Sequence, residues 1–153
     1  EKILKQSQNQ DEGTKQASKK KVANKARFYV MSVPTIISLI VGGSIGSLLR
    51  MGVSSWIGIS SAARFPLGTL SINLLGCFLI GVAVTLCDKY MVSPVLRAGL
   101  ISGGLGAFTT FSTFGLEIVQ LLTTGHAKSA IAYVMISTIG GLLLVIIGMQ
   151  VAR

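Results

Sequence analysis

The sequence predicts an all-α integral membrane protein of four transmembrane helices. Three observations predict it: a body almost free of charge, four apolar segments of spanning length, and short polar breaks between them. The 153-residue chain is 50% hydrophobic and only 12% charged, where a soluble domain averages about 25% charged residues. Its charges are also confined. Residues 1–30 carry eight of the 14 Lys and Arg, together with Glu1, Asp11 and Glu12, and the rest of the chain carries six basic and two acidic side chains. So little charge cannot solvate the surface of a water-soluble fold.

The polar, basic segment 1–30 has too little apolar surface to offset its ordering entropy and reads as a disordered tail ahead of a membrane domain at 31–153. The net charge of +9 is therefore no nucleic-acid footprint, which needs Lys and Arg spread over a folded face. A topological role, with weak attraction to anionic headgroups of the lipid bilayer, fits better. Cys77 and Cys87 lie in one apolar segment, cannot pair within a continuous helix, and match no zinc spacing.

The segments run over about 35–59, 67–87, 95–122 and 129–151, each near the roughly 20 helical residues that a ~30 Å hydrocarbon core requires. Gly, Pro, Ser or charged residues fill the breaks and end the helices. Four spans leave both termini on one side. The basic tail, Lys89, Arg97 and Arg153 then put that side in the cytoplasm of a cell (plasma) membrane protein. Glycines inside the spans, such as Gly42, Gly46, Gly76, Gly81 and Gly148, read as points of close helix approach.

Polar residues inside spans are costly and mark candidate sites. Asn73 lies near the middle of the second span and offers two donors and an acceptor. The third span contains GGLGAFTTFSTFGLE at 103–117, a poor continuous helix. The third helix is expected to break at mid-membrane depth, where released carbonyls could hold a cation. Phe111 and Phe114, three residues apart, share a face beside Thr109, Thr110, Ser112 and Thr113, and their positive ring edges can meet a dehydrated anion. Tyr133 and Ser137, four apart, put two hydroxyls on one stripe, which with Asn73 makes a track of neutral donors suited to a small, strongly hydrated anion. Arg50 reads as a snorkelling or capping residue, and Glu117 as an acceptor for nearby hydroxyls. No enzymatic motif is present, and His126 has no companion ligand for a metal.

These residues resemble the Fluc (CrcB-type) fluoride channel family over about residues 36–151. The first span's GGSIGSLLRM, the second span's GTLSINLLGCFLIG and the third span's TTFSTFGLE match three family motifs in order. The resemblance implies a fluoride-selective passive ion channel that exports fluoride. It implies an antiparallel dual-topology dimer with two pores and a structural sodium ion at its centre. Carried over by motif, Phe111, Phe114 and Asn73 line the fluoride pathway, and Gly106 and Thr109 supply backbone carbonyls to the sodium. Thr110 and Ser112 are expected in the same pathway, Tyr133 and Ser137 resemble its hydroxyl track by spacing, and Arg50 and Glu117 match the first-span arginine and the acid after the phenylalanines. The chain departs from the family at Ala107, where many members carry a second Gly, and in its basic tail. That tail should bias insertion, so the expected assembly is either a homodimer or a heterodimer with a related, oppositely oriented chain. The rival class is a four-helix proton-coupled cation or drug exporter, which needs a carboxylate in its first span; this chain has none there.

Overall fold

The computed structural model describes residue 16, residues 32–60 and residues 65–153. The expected tail at 1–30 therefore lies, apart from residue 16, outside the described residues. Among the described residues, four helices are long and apolar enough to cross a membrane: Val33–Ile57, Leu67–Lys89, Pro94–Thr123 and Ala127–Val151. Four spans were expected, and the third is broken as its sequence predicted.

The ends of the spans follow from local chemistry. The second span closes at Met91, which takes a left-handed φ of 51°, while Val92 N–H donates to the Cys87 carbonyl at 2.9 Å. Gly125, with φ 79°, does the same after the third span, where His126 N–H reaches the Leu121 carbonyl at 2.8 Å. Both turns satisfy carbonyls that a helix end would otherwise leave bare. Ser93 starts the third span by accepting from Leu96 N–H at 3.3 Å, with Pro94 in the first turn.

Neighbouring spans run up and down, so the start of the first, the end of the second, the start of the third and the end of the fourth share one end of the bundle. Ser38 Oγ donates to the Val95 carbonyl at 2.9 Å, and Lys89 Nζ donates to the Arg153 carbonyl at 2.9 Å. Arg97 and Asp88 form an ion pair at that same end.

The third span has two halves with different neighbours. Its first half, π-helical over Ala98–Leu105, packs on the first span through glycines; its second half, Phe111–Thr123, packs on the start of the fourth. A Cβ on Gly42 or Gly46 would run into the carbonyl of Gly99 or Gly104, and one on Gly81 or Gly148 into that of Val145 or Phe78. Backbones this close gain packing energy that lipid cannot supply. A small core of Leu70, Phe114, Leu121, Ala130 and Tyr133 joins the second, third and fourth spans.

Gly81→Ala and Gly148→Ala are each expected to destabilise the protein by about 1–3 kcal/mol, since the backbones must part. Gly43→Ala, where an added Cβ meets nothing within 4 Å, should stay within about 0.5 kcal/mol of wild type. Thermal unfolding in detergent measures both, and equal losses at all three positions would contradict the packing described.

Candidate functional site: a broken helix and its polar cavity

The break occupies two residues. After the short turn Gly106–Phe108, Thr109 is extended with ψ 159°, Thr110 follows with φ −147° and ψ 119°, and helix resumes at Phe111. Extended backbone at this depth exposes amide groups that hydrocarbon cannot satisfy, at several kcal/mol for each group left bare. Asn73 of the second span removes that cost. Its Nδ2 donates to the Thr110 carbonyl at 3.0 Å, and Thr110 N–H donates to its Oδ1 at 2.9 Å. The side-chain amide pairs with Thr110 as a neighbouring strand would. Thr110 also caps the next helix, its Oγ1 accepting from Thr113 N–H at 3.3 Å.

The same bonds free two carbonyls. In a continuous helix Thr110 N–H would serve the Gly106 carbonyl, and Thr113 N–H would serve that of Thr109. Both donors are instead taken by side chains. Two released backbone oxygens suit a hard cation such as sodium, as unwound helices do elsewhere, though two are fewer than a full coordination shell. Among the described residues, no group of three His, Cys, Asp or Glu side chains could hold a metal.

Beside the break lies a cavity of about 450 Å³, lined among others by Asn73, Gly106, Thr109, Thr110, Phe111, Phe114 and Ser137. Seven of the residues singled out in the sequence are thus brought together. The Ser137 hydroxyl is buried without a hydrogen-bond partner. Only one of the two Asn73 N–H donors is bonded among the described residues. Phe111 is 84% exposed and Phe114 only 9%, with ring centroids 5.7 Å apart. The two rings are neighbours, but one projects from the protein and the other belongs to its core.

Tyr133 is placed differently from its expected stripe. It is fully buried, packs edge-on to Phe114 at 4.9 Å, and its hydroxyl donates to Glu117 Oε2 at 2.7 Å. Thr69 Oγ1 donates to Glu117 Oε1 at 2.8 Å, so both carboxylate oxygens accept hydroxyls. Ser137 faces the cavity instead. The fourth span switches to π-helical pairing over Ile136–Gly140, just after Tyr133. Glu117 lines a second cavity of about 590 Å³ with Phe65, Gln120, Leu121 and His126. Phe114 and Tyr133 thus lie on the path of contacts between the two cavities. Ser112 is exposed and sits 3.3 Å from Thr110 Oγ1. Arg50 stands apart on the first span, half-buried.

Sequence reasoning missed two features. Thr69 was not singled out, although it precedes Asn73 by four residues and so shares its face. The π-helical stretch of the fourth span has no residue signal beyond Gly140 and Gly141.

Fold and site together define a multi-pass membrane protein with a polar cavity at a helix broken in mid-membrane. Residues 37–149 match the family model described as CrcB-like protein, Camphor Resistance (CrcB). The chain is 45% identical over 118 residues to the "Fluoride-specific ion channel FluC" of Parabacteroides distasonis, covering 77% of this chain and 92% of that one. It is 43% identical over 119 residues to the protein of the same name from Chloroflexus aurantiacus, covering 77% and 94%. A third, from Stutzerimonas stutzeri, is 45% identical over 113 residues, covering 73% and 91%. The chain belongs to the CrcB-like family, whose members are ion channels and not enzymes.

Two outcomes follow from the geometry. Asn73→Ala leaves both backbone groups of Thr110 unpaired and should cost about 2–4 kcal/mol, with faster hydrogen exchange at the Thr110 amide. Unchanged exchange would remove Asn73 from the break. Tyr133→Phe and Glu117→Gln should couple by about 1 kcal/mol in a double-mutant cycle read by thermal unfolding; additive losses would mean the hydroxyl–carboxylate bond contributes nothing.

Proposed function

We propose that this chain forms a fluoride-selective passive channel that carries fluoride out of the cytoplasm across the plasma membrane. The observation that carries the reading is the set of uncommitted neutral donors on one cavity: the second N–H of Asn73 and the Ser137 hydroxyl. Beside them stand the rings of Phe111 and Phe114. Fluoride holds its water tightly, so a site must replace that water with donors. A full positive charge in low dielectric would trap the ion, whereas amide, hydroxyl and ring-edge dipoles replace hydration and still release it. The names of the relatives point to the same ion.

The finer reading is a dimer of oppositely oriented chains, each with both termini on the same side, enclosing two pores. The exposed Phe111 and the open cavity support it, because one chain leaves half of the lining to a partner. A sodium ion at the dimer centre would be held by the Gly106 and Thr109 carbonyls of both chains and would supply fixed positive charge there. The two carbonyls released per chain support that role and double under a two-fold axis. The partner is a second copy or a related chain. The basic tail biases the termini of this chain toward the cytoplasm; a second copy as partner would insert against that bias, and a related chain would not.

Phe111→Ile or Phe114→Ile should slow fluoride efflux from proteoliposomes by about tenfold or more while assembly persists, since an aliphatic side chain has no positive edge. Wild-type loss should be fast and independent of a proton gradient. A purified double variant with wild-type efflux would take both rings out of the pathway, and vesicles that retain fluoride with the wild-type protein, alone or with a related chain, would overturn the function.

A further inference from the structure

We propose that Gly76 is a positioning residue that seats Thr109, and so sets the direction of the extended stretch on which the fluoride reading above depends. Gly76 follows Asn73 by three residues, so both face the break. Asn73 clamps Thr110 through two hydrogen bonds; Gly76 receives the side chain of the residue before it.

A Cβ on Gly76 would occupy the place of the Thr109 Cγ2 methyl, while the next atoms, Phe108 Cδ1 and Thr109 Cβ, lie at ordinary contact distances of 3.6 and 3.7 Å. This sets Gly76 apart from Gly42, Gly46, Gly81 and Gly148, which each abut a backbone carbonyl. Their role is helix approach; that of Gly76 is to leave room for one methyl group. The methyl cannot turn away freely, because Thr109 Oγ1 donates to the Leu105 carbonyl at 3.1 Å. Rotating χ1 would break that bond. The second span thus holds two successive residues of the break, one by hydrogen bonds and one by a recess.

The contact makes an atom-specific prediction. Serine at 109 keeps the Oγ that bonds Leu105 and lacks the Cγ2 that an alanine at 76 would strike. Gly76→Ala, Thr109→Ser and the double variant are prepared as the full chain, with any partner needed, in liposomes. Efflux, unfolding midpoint and hydrogen exchange at the Thr110 amide are then read. Gly76→Ala should slow efflux by about tenfold or more when Thr109 is present and by less than about twofold in the Thr109→Ser background. It should speed Thr110 exchange only in the first case. If Gly76→Ala yields no protein alone but assembles with Thr109→Ser, the recess is supported. Equal losses in both backgrounds, or failure to assemble in both, would overturn it. Should the wild-type vesicles retain fluoride, the channel reading fails, and Thr110 exchange still decides the Gly76 contact.

Discussion

The pairing of one side-chain amide with the N–H and carbonyl of a single residue holds this structure together where it is least like a helix. The broken helix leaves the N–H and carbonyl of Thr110 without helical partners, and Asn73 meets both. Neither partner is stable there alone: an unpaired asparagine at mid-membrane depth is as costly as an unpaired peptide group. Because the break is satisfied from a neighbouring span, the third helix can change neighbours midway. Its first half stays with the first span and its second half with the fourth.

Several of the interior polar groups are organised around that exchange. The donors diverted at Thr110 and Thr113 leave the Gly106 and Thr109 carbonyls free on one side. On the other side, Phe114 packs between the cavity beside Asn73 and the Glu117 carboxylate, whose two oxygens accept from Thr69 and Tyr133. Glu117, the one interior carboxylate among the described residues, thus receives hydroxyl donors and lies behind a ring, away from the Asn73–Ser137 cavity. A bare carboxylate lining that cavity would repel an anion strongly in so low a dielectric.

Much of this was legible in the sequence. Span number and limits followed from hydropathy and breakers, and the position of the break followed from glycines and hydroxyls that resist continuous helix at 103–117. Asn73 stood out because its burial needed a partner, though nothing in the sequence named Thr110 as that partner. Tyr133 and Ser137 were legible as two interior hydroxyls, but the bond of the first to Glu117 and the unpaired state of the second depend on tertiary packing and not on spacing. The unequal burial of Phe111 and Phe114 was also hidden, because helical spacing gives a common face and not a common depth.

The wide apolar exterior has an energetic consequence of its own. In water, a projecting ring such as Phe111 would drive aggregation; among acyl chains it is already well solvated, and covering it gains almost nothing from the hydrophobic effect. Any subunit that docks on this side must win through shape fit and polar contacts against lipids that bind equally well. Assembly is then a competition within a two-dimensional solvent, tuned by bilayer thickness and by the number of copies per unit of membrane area.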